Sequence, residues 1–181
     1  KYLFLTWWRT KRIISKFCME IPNDKHFAYF PLHLQPERST LIQASYYENL
    51  LEDITNVAKS LPVDFILLVK EHPHQFMYAW RNNEFYKKLK NLPNVKMMHT
   101  SISNELLLKN CSLVITITGT TGLEAAIYGK PTIVFADVIY DSIPSVHKIK
   151  EIEKLPEMIK DALNEKVDVN EVNKFLNILN V

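Results

Sequence analysis

The sequence predicts an α/β domain: a Rossmann-like, doubly wound parallel sheet of five or six strands with helices on both faces. Three observations carry that expectation. Short β-branched and aromatic runs alternate with stretches of helical period, the pattern that crossover helices between parallel strands produce. Runs such as Asp64 to Lys70 (DFILLVK) and Ser112 to Ile117 (SLVITI) are apolar nearly throughout, as strands covered on both faces must be. Finally, the chain has only 3 glycines, where an average ~7% would scatter about a dozen. All of them, Gly119, Gly122 and Gly129, fall within Thr116 to Pro131, TITGTTGLEAAIYGKP. That segment reads as a strand, a Thr/Gly loop, and a helix that Gly129 ends as the C′ residue with Pro131 just beyond.

The elements follow in order. Lys1 to Glu20 spaces Leu3, Phe4, Trp7, Trp8, Ile14 and Phe17 as an amphipathic helix does. Residues 1–25 are set apart as a leading helix and turn, a remnant of an interdomain connection, and 26–181 as the domain proper. His26 to His33 is the first strand, and Thr40 to Ser60 a helix capped by Ser39 or Thr40. Asp64 to Lys70 is the second strand, with a helix at Asn83 to Lys90. Asn94 to His99 and Ser103 to Asn110 form the third pair. The glycine stretch supplies the fourth strand and its helix, Pro131 to Phe135 the fifth strand, and Val146 to Ile149 a short sixth. Two helices near 152–166 and 169–180 close the chain.

Composition bounds the function. Lys and Arg number 22 against 20 Asp and Glu, a net charge of +2, and the basic residues are dispersed, so no field for nucleic acid is present. Cys18 and Cys111 fit neither a disulfide framework nor a zinc spacing. No run approaches the ~20 apolar residues of a membrane span. The expected location is the cytoplasm, with a peripheral position at the inner face of the membrane as the further option.

In such a sheet the loops after the strands share one edge, which brings 34–39, 71–76, 99–103, 118–122 and 136–142 together. Thr118, Gly119, Thr120, Thr121 and Gly122 offer backbone N–H groups and hydroxyls to a phosphate; the alternative is a turn whose threonines merely cap the helix. Lys70, His72 and His74 follow the second strand, where a lysine and imidazoles can donate to phosphate, with Pro73 fixing the turn. Glu124 lies one turn into the helix and can accept from the vicinal hydroxyls of a ribose, or serve only as a favourable charge near a helix N-terminus. Gln35, Glu37, Arg38 and Ser39 form a polar cluster after the first strand, with Gln35 held in a rigid Gln-Pro turn. No GxGxxG, GxxxxGK[ST] or GxSxG motif occurs. No metal ligand set is expected.

Together the motifs PLHLQPE (Pro31 to Glu37), KEHP (Lys70 to Pro73) and TGTTGLEAAIYGKP (Thr118 to Pro131) resemble those of bacterial capsule polysaccharide biosynthesis proteins. Those in turn are similar to β-Kdo transferases and, more distantly, to the carboxyl-terminal domain of GT-B glycosyltransferases. The resemblance spans about 29–148. It implies a domain that binds a CMP- or UDP-linked sugar without a further cofactor, with Gln35 and His72 at the donor as candidate catalytic groups. The Thr118 to Gly122 loop would meet phosphate and Glu124 the ribose. It also implies a growing glycan or lipid-linked acceptor and a partner domain preceding this one, so these 181 residues are expected to bind a donor without transferring it. The alternatives are a sugar-nucleotide epimerase of similar architecture and a non-catalytic polysaccharide biosynthesis or export module. In the last case Tyr46, Tyr47, Tyr78 and Trp80 would line a groove, and the 118–122 loop would pack shut against 71–74.

Overall fold

The computed structural model describes residues 12, 16–22, 26–34, 49–75 and 81–179. Six parallel strands form one sheet: β1 (His26–Pro31), β2 (Phe65–Lys70), β3 (Val95–Met98), β4 (Leu113–Thr116), β5 (Thr132–Val134) and β6 (Val146–Lys148). Their spatial order is β3-β2-β1-β4-β5-β6. The chain therefore works outward from β1 to β3, then returns past the centre to place β4 against the other side of β1, in register Ala28 with Leu113 and Tyr29 with Val114. Between β1 and β4 the winding direction reverses, and the loops that leave these two strands diverge. A crevice opens there by topology alone.

Alternating side chains divide the core into two layers. On one face Ala28, Phe30, Leu67, Val69, Ile115 and Ile133 meet helices α1 (Leu50–Ser60), α2 (Asn83–Lys90) and α5 (Leu155–Asn164). On the other, Phe27, Tyr29, Ile66, Leu68 and Val114 meet α3 (Asn104–Asn110) and the Ala125 side of α4 (Thr121–Ile127). Ala126 of α4 and Val134 pack with Val172 of α6 (Val169–Leu179). Burial of each large strand residue stabilises the sheet by roughly 1.5–3 kcal/mol. The paired alanines let α4 lie close to it.

The ends of the helices follow local chemistry. Asn82 accepts from Phe85 N at 2.9 Å to open α2, and Ser103 caps α3. Gly129 ends α4 with φ +69°. There Lys130 N donates to Ala125 O and Gly129 N to Ala126 O, both at 2.9 Å, which is the Schellman arrangement.

Two expectations change. The described helix before β2 begins at Leu50, behind a non-helical Asn49 that makes no side-chain cap bond, so the periodicity from Thr40 does not continue as one helix; 35–48 lie outside the described residues. The leading helix does not run to Glu20. Instead Cys18 N donates to Met97 O and His99 N to Cys18 O, each at 2.9 Å, laying this segment along β3 as an added edge. An open strand edge takes any backbone able to supply alternating donors and acceptors, whatever its helical period. Trp7 and Trp8 lie outside the described residues.

Candidate active site

Three loops at the carboxyl ends of β1, β2 and β4 enclose a cavity of about 570 Å³ at the crevice, a size proper to small-molecule sites. The first supplies His33 and Leu34, the second Lys70 to His74, the third Thr116 and Thr118 to Thr121 with Glu124 behind them. Asn104, at the start of α3, completes the wall.

His33 joins the first loop to the third. Its Nε2 accepts the Thr118 N–H at 3.2 Å, and burial, helped by the nearby Arg81 and His72 charges, lowers its pKa to about 4. The ring is therefore neutral at pH 7, as an acceptor must be. Gly119 N donates to Thr116 Oγ1 at 3.2 Å, and Tyr140 O–H donates to Gly119 O, so the Thr/Gly loop is held from both sides.

Under the second loop lies a buried ionic group. Glu71, 1% exposed, accepts from Tyr86 O–H and His72 N, both at 2.7 Å, and faces Arg81 Nε at 3.4 Å. Burial pushes its carboxyl upward, while Arg81, Tyr86 and the His72 N–H pull it back. Arg81 also donates to His33 O. One carboxylate thus couples the backbone before His72 to the His33 segment through a single guanidinium.

Lys70 is 5% exposed and donates to Ile102 O and Asn104 Oδ1, both at 2.6 Å; burial lowers its pKa. Tyr29 O–H donates to the same Asn104 oxygen at 3.2 Å. Lys70 lines the cavity floor rather than reaching out as a solvated cation. Glu124 is half-buried on the wall, and its charge acts on the Tyr29 and Tyr140 hydroxyls.

The sequence-derived residues Lys70, His72, Thr118, Gly119, Thr120, Thr121 and Glu124 all line one cavity. Gln35, Glu37, Arg38 and Ser39 lie outside the described residues, as do Tyr46, Tyr47, Tyr78 and Trp80. The helical-cap reading of the threonines fails, because Thr120 at the N-cap makes no side-chain cap bond. Of the glycines only Gly129 has positive φ; Gly119 and Gly122 are required for space. A Cβ on Gly119 would stand 2.8 Å from Thr116 Oγ1 and 3.3 Å from His33 Nε2, and one on Gly122 only 2.5 Å from Tyr140 Oη. Gly122 is buried under the loop, not on the cavity.

His33, Glu71, Arg81, Asn104 and Tyr140 were not singled out from the sequence. His33 and Glu71 stand inside the PLHLQPE and KEHP motifs, near the Pro residues that mark their turns. Arg81, Asn104 and Tyr140 carry no local signal; they enter by folding.

Among the described residues no three His, Cys, Asp or Glu side chains converge as ligands of one metal ion. No described helix is long and apolar enough to cross a membrane. The 118–122 and 71–74 loops line a common open cavity rather than packing shut, which removes the arrangement expected of a closed export module.

Known structures share this fold. A β-Kdo 2,7 transferase, KpsC of Thermosulfurimonas dismutans, is 18% identical with a TM-score of 0.57, over 90% of this chain and 52% of that one. The UDP-GlcNAc 2-epimerase of Methanocaldococcus jannaschii, solved with UDP-GlcNAc and UDP, is 18% identical with a TM-score of 0.60, over 95% of this chain and 48% of that one. The wall teichoic acid polymerase TagF is 15% identical with a TM-score of 0.53, over 92% and 42%. The chain thus spans about half the length of these proteins or less. No curated protein sequence matches it significantly. A sequence model of the capsule polysaccharide biosynthesis proteins matches residues 8–147, a span that takes in β1 to β5, the start of β6 and every loop of the cavity, and the chain belongs to that family.

Proposed function

We propose that this domain binds the nucleotide-sugar donor of a glycosyltransferase acting in capsular or other surface polysaccharide synthesis. The observation that carries the reading is the meeting of the KEHP and TGTTG loops on one cavity at the switch between β1 and β4. His72, the amides of Thr120 and Thr121 and the hydroxyls of the loop threonines are the donors for the diphosphate or monophosphate, replacing water that the leaving group would otherwise need as charge develops; the Thr118 and Gly119 amides hold the loop in shape through His33 and Thr116. Glu124 accepts from ribose hydroxyls. Gln35 remains the candidate for positioning the sugar. Glu71 and Arg81 hold the two histidine-bearing segments at a fixed separation, so the site is formed before the donor arrives.

The acceptor, a growing glycan or lipid-linked sugar, and the group that deprotonates it come from the opposite wall of a cleft that a partner domain would supply. The epimerase alternative rests on equally close fold relatives, yet the family match lies with capsule synthesis and gives the transferase reading the advantage. Nucleotide-sugar turnover without acceptor would reverse that preference.

Titration of the chain with CMP, UDP, GDP and their sugars tests the proposal. A bound nucleotide at a hundred times its Kd should raise unfolding stability by about 2.7 kcal/mol. His72→Ala should weaken the nucleotide more than the free nucleoside. Equal losses for both would assign His72 a structural role, and no binding by any nucleotide would overturn the reading.

A further inference from the structure

A second cavity, of about 490 Å³, lies at the β3 edge and shares no lining residue with the first. Its apolar floor is Phe17, Tyr86, Val95 and Met97. Val95 and Met97 are each 7% exposed, and the Phe17 ring packs 5.7 Å from that of Tyr86. Tyr86 has its hydroxyl engaged by Glu71 in the core, which leaves ring carbon for the cavity. The rim is Lys16, Lys87, Lys90 and Lys96. All four are exposed, and among the described residues none stands within an ion pair, although Lys88 on the same helix pairs with Glu84.

Four like charges around an apolar floor repel one another, and a chain with nearly balanced charge has no general reason to gather them there. The arrangement matches an amphiphile whose anionic head meets the lysines while its first methylenes cover the floor. The chain's own leading stretch has the wrong charge to be that partner. Residues 1–19 include Lys1, Arg9, Lys11, Arg12 and Lys16 but no Asp or Glu. Of this stretch Lys16, Phe17 and Cys18 line the cavity, and its sequence, with five basic residues beside Trp7 and Trp8, has the composition of segments that rest at a bilayer surface.

We infer that the β3 edge, centred on the Lys16/Lys87/Lys90/Lys96 cavity, is a docking site for an anionic phospholipid in a bilayer surface. The inference stands apart from the donor site. Docking by this edge would hold the domain at the membrane without a spanning helix.

The test is co-sedimentation of the whole chain with vesicles of phosphatidylcholine alone and of phosphatidylcholine mixed with phosphatidylglycerol. Binding is expected only to the mixed vesicles and should be lost near 1 M salt, where the screening length falls to about 3 Å. Lys87→Gln with Lys90→Gln should weaken it roughly 25-fold, at about fivefold for each lysine near the surface. A control pair with the same charge change, Lys154→Gln with Lys174→Gln, should bind as the parent does. Equal loss in both pairs, or no binding to mixed vesicles, would overturn the proposal. So would soluble glycerol phosphate competing as strongly, mole for mole, as the phosphatidylglycerol of the vesicles, since the apolar floor would then contribute nothing. Nucleotide titration of the Lys87/Lys90 variant should be unchanged, so failure of the lipid site and failure of the donor site read out separately.

Discussion

Gly119, in the loop, and Gly122, three residues on in the first turn of α4, should respond differently to a single methyl. At Gly122 a Cβ meets Tyr140 Oη at 2.5 Å and Thr132 Cγ2 at 3.0 Å, inside packed structure. Gly122→Ala should therefore lower unfolding stability by about 1–3 kcal/mol, the usual range for overpacking. At Gly119 the obstacles are Thr116 Oγ1 and the His33 ring, the groups that hold the loop amides. Gly119→Ala should chiefly weaken nucleotide binding, with a smaller loss on chemical denaturation. The reverse order would mean that the loop's shape does not serve a ligand. Two buried titrating groups add a pH signature. His33 has its pKa depressed from 6.5 to about 4, so below pH 6.5 the unfolded chain takes up a proton that the folded chain refuses. Stability is then lost as pH falls from 6.5 toward 4, by up to about 3 kcal/mol from this group. Asp53 behaves oppositely: burial and the adjacent Glu52 raise its pKa to about 7, and its Oδ2 meets no hydrogen-bond partner among the described residues. The folded state keeps the proton that the unfolded state releases above pH 3.8, so Asp53 removes stability as pH rises from there through 7. Asp53→Asn should accordingly stabilise the protein above pH 7 and have little effect near pH 4, as thermal melts across that range would show.

Among the elements, β2 and α2 are joined by charge as well as by apolar packing. Glu71 leaves the end of β2, Tyr86 comes from α2, and Arg81 lies just ahead of α2's Asn82 cap. Glu71→Gln keeps the shape but leaves Arg81, with a 3% exposed side chain, as a buried cation without a counter-charge. Loss of one partner from a buried pair costs roughly 3–5 kcal/mol. The melt of this variant should fall accordingly, and its nucleotide affinity should fall too, because Arg81 also holds His33 O. A stability loss with unchanged affinity would show that the pair supports the fold and not the cavity. The two ends of α4 illustrate how unevenly an element can be read from its letters. Gly129 and Pro131 mark its close, and the Schellman bonds are where that pattern places them. Its opening looked like a threonine cap and is none, because the turn before it is held by Gly122 N donating to Gly119 O at 3.1 Å and by contacts from Tyr140 and His33.

For the whole molecule the central expectation concerns division of labour. The cavity provides candidate groups for phosphate and ribose on one wall, whereas transfer also needs an acceptor hydroxyl aligned with the anomeric carbon and a base within hydrogen-bond reach of it. These 181 residues should bind a nucleotide sugar without extending a glycan, and a longer chain that includes a preceding domain should show donor-dependent extension. Extension by this chain alone, abolished in Gln35→Ala or His72→Ala, would place acceptor site and base inside this domain. By itself the sequence determined the doubly wound sheet, because strand and helix periods are local and crossover connections admit one common handedness. It also determined that the KEHP and TGTTG loops would share an edge, since every parallel strand ends on the same side. Tertiary structure alone decided what the glycines are for, why Lys70 faces inward, and which partners hold the loops. Gly119 and Gly122 are small because Thr116, His33, Thr132 and Tyr140 arrive from elsewhere in the chain. Arg81 and Asn104 matter because folding brings them beside Glu71, His33 and Lys70. Periodicity records which face of an element is buried, but not which distant side chain will meet it there.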